Sequence, residues 1–300
     1  MPIALFVGFL TQLSFAAAPP DGFVLTQWGR WTQAEAVESL DKAARVGARH
    51  ISVIVQICQS DKGAHDLKWC EGNESETESF VDTYQGKRLE KLLPELATRR
   101  MTFSILPMML SPDTNRQWIS PTNRTEWFTR YGDKMVELAR FSESRGSRDF
   151  VIASELTELF VLDAPWRQVI QRVREVFTGH LTISPVFFQY QLIRFWDALD
   201  SIGLSSYFPL TVSQRIDSVP VLTATWRAHR VQLLAFAALH RKPLTFVEVG
   251  YPTTNVAAVM PWDYEWDKRT LDPELQRRCF EAFARVWAGE KRLRAFQIWG

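Results

Sequence analysis

A chain of 300 residues with 46% hydrophobic residues is long enough for one large core and too apolar for global disorder. A net charge of +1 gives no electrostatic case for binding nucleic acid or an acidic membrane surface. Twelve Trp are many for this length; most are expected in the core, but indole also stacks on sugar rings, so the count raises a carbohydrate hypothesis.

In chain order, residues 1–18, "MPIALFVGFLTQLSFAAA", are apolar and end in small residues, which predicts a secretory signal peptide and an exported protein, periplasmic or extracellular. No later apolar run approaches the ~20 residues of a membrane span. Residues 22–28 read as a strand. Residues 32–47 read as a helix with N-cap Thr32 and closing Gly47. Then follow a strand at 50–58, a helix at 86–100, a strand at 101–109, a long amphipathic helix at 123–146 and a strand at 149–154. A helix at 164–177, a strand at 181–187, a short helix at 190–199 and a strand at 201–207 come next. A helix at 219–241, a strand at 244–249, a helix at 272–289 and a strand at 293–299 complete the chain.

Apolar strands alternating with amphipathic helices predict a parallel sheet, and eight such strands over this length predict a single-domain (β/α)8 TIM barrel across residues 19–300. A doubly wound open sheet is the alternative, but no GxGxxG or GxxxxGK[ST] follows the first strand. No helix follows the eighth strand, so the barrel is expected to lack a closing helix or to be covered there by the N-terminal segment. Cys58 and Cys70 flank a polar loop, and in an exported protein they are expected to form a disulfide; Cys279 reads as a buried thiol. The five His show no metal-ligand spacing, so neither a metal nor another cofactor is expected.

Reactive groups of such barrels sit at the C-terminal ends of strands. The fourth predicted strand, "DFVIAS", runs into Glu155, and the seventh, "LTFV", runs into Glu248. Both carboxylates would then point into one central cleft. Retaining glycosidases use two carboxyls about 5–5.5 Å apart, one as nucleophile and one as acid and then base. The bland alternative is that each Glu is an ordinary strand end paired with an Arg. Glu158 is a second candidate for the acid, or a substrate contact.

The stretches 118–156, 195–210, 242–254 ("KPLTFVEVGYPTT") and 260–287 together resemble glycoside hydrolase family 113, over nearly the whole mature chain and in order. The resemblance implies a retaining (β/α)8 enzyme of the β-1,4-mannanase type, with Glu155 as acid/base and Glu248 as nucleophile. It implies a poly- or oligosaccharide substrate and no cofactor; a monomer is expected. Ser154 stands where the related enzymes often carry an Asn that bonds the sugar 2-hydroxyl. Met108 and Met109 stand where Lys and His are usual, and "SPVFF" replaces "AANW", so several sugar-facing polar groups are expected to be apolar here. Action on a different β-glycan, or a non-catalytic sugar-binding barrel, are the alternatives.

Tyr207, at the end of the sixth strand, is expected to hold Glu248 by a hydrogen bond or else to pack on the rim. Trp299, at the end of the eighth, is the candidate floor under the sugar, with core packing as the alternative. Trp28 or Trp31, and Trp262, Tyr264 or Trp266 in the loop after strand seven, are candidate sugar-stacking groups; Arg30 is a weaker one. Trp127, Trp196, Trp226 and Trp287 sit at apolar helical positions and read as core.

Overall fold

The structure, a computed structural model, describes residues 22–26, 32–71, 78–213 and 218–299. The predicted signal peptide and Trp28, Arg30 and Trp31 lie outside the described residues, as does the side chain of Trp266. Eight strands are parallel to their neighbours: β1 (Gly22–Leu25), β2 (His50–Cys58), β3 (Thr102–Leu110), β4 (Asp149–Ser154), β5 (His180–Ser184), β6 (Ile202–Ser205), β7 (Leu244–Val249) and β8 (Leu293–Trp299). Their order is β5-β4-β3-β2-β1-β8-β7-β6. The ring is nearly closed between β5 and β6 by a parallel bridge from Val186 to Ser205, the 2.9 Å bond from Ser205 N to Pro185 O and the 2.8 Å contact of the Ser184 and Ser205 hydroxyls. The helices are α1 (Gln33–Arg45), α2 (Tyr84–Thr98), α3 (Arg124–Ser144), α4 (Thr157–Phe160), α5 (Asp163–Arg174), α6 (Val219–His240) and α7 (Pro273–Trp287). The architecture is the expected (β/α)8 barrel.

Local chemistry explains the helix starts. Thr32 and Glu35 form a reciprocal capping box on α1, Asn123 accepts from Glu126 N on α3, and Asp272 accepts from Leu275 N on α7, so each side chain satisfies an otherwise orphaned donor. The alternation of each strand divides the apolar side chains. Val24, Ile54, Leu106, Met108, Val151 and Val247 meet inside the barrel, while the larger cluster fills the space between strands and helices. Trp127, Trp226 and Trp287 lie in that outer layer; the first donates its indole N–H to Gln59 and the second to Tyr251. Trp127 stacks on Tyr131 at 4.7 Å, and the Tyr131 hydroxyl caps the Ile152 carbonyl.

Three details differ from the sequence reading. Residues 190–199 form two 3-10 turns, Tyr190–Leu192 and Trp196–Ala198, instead of a helix. Tyr190, Ile193, Phe195, Trp196 and Leu199 are all buried, more than one helical face can hide, and Trp196 Nε1 ties back to Tyr190 O. A two-residue strand, Lys68–Trp69, pairs antiparallel with Ile57 and Cys58, next to the Cys58–Cys70 disulfide that closes this loop. The segment after Glu155, where the sequence predicts no element, holds the single helical turn α4.

Candidate active site

Strict alternation would send Glu248 toward the helices, because Val247 points into the barrel. Phe246 and Val249 both pack in the outer layer, so the alternation breaks between them, where the β7–β8 register also shifts. A second shift, between Leu204 and Ser205 on β6, faces Glu248 from the other side. These irregularities turn the Glu248 carboxylate inward, where Ser154 Oγ donates to Oε1 at 3.2 Å and Tyr207 Oη donates to Oε2 at 3.1 Å. β4 shows the same device: Ile152 and Ala153 both pack outward, and its register with β5 shifts between Val151 and Ser154. Glu155 follows with φ +53°, the left-handed region that costs a non-Gly residue about 1–2 kcal/mol. Its N–H to Ser184 O bond of 2.7 Å holds that conformation.

The structure therefore brings Glu155, Glu248, Ser154 and Tyr207 together at one end of the barrel. Glu248 is 1% exposed and Glu155 is 7% exposed. Burial first, and then the neighbouring Glu155 charge, push the Glu248 pKa up to about 7; Arg116, Tyr207 and Ser154 pull the other way. Tyr207 is held well above the ordinary phenol range by burial and then by the Glu248 charge, so it stays a donor. Tyr264 is raised for the same two leading reasons. Its hydroxyl lies beside Gly250, where an added Cβ would be 2.4 Å from it, 3.1 Å from Trp299 Cβ and 3.2 Å from Tyr207 Cε1.

Trp299 packs against the inner barrel cluster at this end. Trp262 is 48% exposed and stacks on Phe187 at 5.7 Å, with Phe188 exposed beside it, so "SPVFF" does form an apolar rim. Met108 fills the barrel interior and Met109 packs in the outer layer; both are buried, so Met109 does not face the sugar site as expected and Met108 presents no exposed surface to it. Glu158 is exposed on α4 and is not brought to the carboxylate pair.

Sequence reading missed Arg116. It lies in the loop after β3 and donates from Nη2 to Glu155 Oε2 at 2.7 Å. One Arg among 35 basic residues, in a loop without a motif, carries no signal of its own. Among the described residues, no group of three or more His, Cys, Asp or Glu is placed to hold a metal ion. A polar cavity of about 360 Å³ does open at the opposite, N-terminal end, lined by His50, Asp149, His180, Arg294 and Gln297 among others. It lies away from the strand ends that carry chemistry in barrels of this kind.

None of the curated proteins compared matches the chain. Solved structures do. A GH113 β-mannanase from Alicyclobacillus acidocaldarius, in complex with ManMIm, superposes with a TM-score of 0.80 at 23% identity, covering 95% of this chain and 88% of that one. A complex of a GH113 β-1,4-mannanase gives 0.76 at 19% identity, covering 94% and 88%. A family 5 mannosidase from Rhizomucor miehei gives 0.60 at 12% identity, covering 94% and 81%. At these identities the likeness shows a shared fold. The model of Glycoside Hydrolase Family 113 matches residues 22–300, and the chain belongs to that family.

Proposed function

We propose that the protein is a retaining glycoside hydrolase that cleaves β-1,4-linked mannan by double displacement, with Glu248 as nucleophile and Glu155 as acid/base. The observation that carries this reading is the pair of buried carboxylates at the ends of β4 and β7, one of them gripped on both oxygens by hydroxyl donors. Glu248 attacks the anomeric carbon in its ionised form. Glu155 gives its proton to the departing glycosidic oxygen. The negative charge on Glu248 disappears in the glycosyl-enzyme, and Glu155 then takes a proton from the water that attacks the same carbon. Ser154 and Tyr207 orient the nucleophile and stabilise its charge when it is released. Trp299 is the floor of the sugar site, and Trp262 is an outer stacking surface.

Mannan as substrate is supported by the β-mannanases among the solved relatives. The apolar Phe187–Trp262 rim supports a second reading, a β-glycan with a different hydroxyl pattern. The Cys58–Cys70 disulfide supports export, and with it a signal role for residues 1–18.

The test is release of reducing sugar from β-mannan, glucomannan and a panel of other β-glycans, with Glu248→Ala as control. Release from mannan that disappears in the variant is the expected result. Release from another glycan alone would move the specificity, and no release from any of them would favour a non-catalytic sugar-binding barrel.

A further inference from the structure

Arg116 is held more firmly than a long side chain on a loop would suggest. Its loop is pinned to the loop between Cys58 and Cys70: Lys62 N donates to Asp113 at 2.9 Å, Ser120 N to Lys62 O at 2.8 Å, and Thr122 N to Gly63 O at 2.9 Å. Asn115 accepts from Gln117 N at 3.1 Å and starts the 3-10 turn Arg116–Trp118, and Ile119 is fully buried behind it. The Arg116 side chain is 17% exposed, and its buried Nε has no hydrogen-bond partner among the described residues. It meets Glu155 only at Oε2.

We propose that Arg116 is the positioning residue of Glu155: it fixes Oε2 and so presents Oε1 as the oxygen that gives and takes the catalytic proton. The inference rests on the acid/base reading of Glu155. A guanidinium has donors only and carries a positive charge, so the oxygen it holds is the one that stays unprotonated, and the proton is directed to the other. In the first step the Oε1 proton moves to the glycosidic oxygen, which keeps the electron pair of the broken C1–O bond. Glu155 is left anionic beside a cation already in place, with no reorganisation needed. In the second step Oε1 removes a proton from water as the water oxygen bonds to C1 and the bond to Glu248 breaks. Arg116 therefore supports the second step most, where the anion is the starting form.

The closing experiment uses Arg116→Gln, Arg116→Lys and Glu155→Ala on aryl β-mannosides or manno-oligosaccharides with a leaving group good enough to need no acid. R116Q should lower kcat about tenfold or more, with KM falling in parallel because the glycosyl-enzyme accumulates. Azide attacks C1 without base help, displaces Glu248 and should restore turnover as the glycosyl azide. The acid limb of kcat/KM, set by Glu248, should also move up by roughly one unit when a nearby cation is lost. Glu155 and Ser154, Tyr207, and Tyr264 face Glu248 from the ends of β4 and β6 and from the loop after β7, and all remain unchanged in the variant. R116K, which keeps the charge on a different head group, should leave that limb in place and lose less. A loss in R116Q without azide rescue or limb movement would overturn the proposal, as a purely structural role predicts. If R116Q does not fold, R116K decides: a partial, azide-restored loss supports the proposal, and an azide-insensitive one overturns it. Glu155→Ala separates the two readings. Azide rescue there upholds the acid/base assignment whatever Arg116 does, while equal loss on all leaving groups without rescue sinks that assignment.

Discussion

The Tyr207 hydroxyl reaches from the end of β6 to Glu248 Oε2 on β7, 3.1 Å away, and both groups are almost wholly buried. A phenol whose own ionisation is suppressed by burial is a dependable donor, so this bond favours the charged carboxylate that burial opposes. Tyr207→Phe should remove one of the two donors on Glu248 and lower kcat by about 10–100-fold, as expected for a hydrogen bond to a charged group. Steady-state kinetics with an unchanged unfolding temperature would establish this; an unchanged kcat would show that the bond does not matter to the reaction.

As the proposed nucleophile, Glu248 has to be ionised to attack, and burial pushes its pKa up to about 7. The profile of kcat/KM should therefore fall about tenfold per pH unit below that value. A profile flat from pH 5 to 8 would contradict the assignment of Glu248 as nucleophile.

The same shift affects stability. The folded-state pKa is raised from 4.5, so the folded form binds the proton more tightly than the unfolded one. The stability this contributes is fully present below about 4.5 and is lost as pH rises through about 7. Glu248→Gln, which mimics the protonated form, should raise the unfolding temperature at pH 8 and change it little at pH 4. Equal effects at both pH values would mean that charge burial at this position is not the cause.

Gly250 leaves room for the Tyr264 hydroxyl, and an Ala Cβ there would sit 2.4 Å from it, far inside contact distance. Gly250→Ala should displace Tyr264, the group beside Glu248, and reduce activity at least tenfold while the barrel still unfolds cooperatively. Wild-type kinetics would show that Tyr264 can move aside at no cost.

Reducing the Cys58–Cys70 bond frees a loop of 12 residues' separation and should cost about 2–4 kcal/mol. Thermal unfolding with and without a reductant measures it, with Cys58→Ser/Cys70→Ser as the matched variant. No change on reduction would show that the loop is held by its other contacts, such as the paired Lys68–Trp69 strand.

The barrel was legible because its signals are local. Apolar runs such as "HISVIVQIC" and a capping residue such as Thr32 act within one strand or one helical turn, and they appear where the sequence placed them. Glu155 and Glu248 were also legible, since each interrupts an apolar strand at its end. The segment 190–199 was not: its burial on several sides comes from the barrel wall around it, which no periodicity within ten residues records.

Sequence alone determined the eight-stranded fold, the identity of the two strand-end carboxylates and the family. Tertiary structure decided which way those carboxylates face and what touches them. Alternation from Val247 would have sent Glu248 outward, and the register shifts against β8 and β6 turn it to Ser154 and Tyr207. Arg116 reaches Glu155 from 39 positions away through a loop pinned to the disulfide-closed segment. Strand propensity and capping depend on near neighbours in the chain. The direction and charge of a buried side chain depend on neighbours in space, and those exist only once the ring has closed.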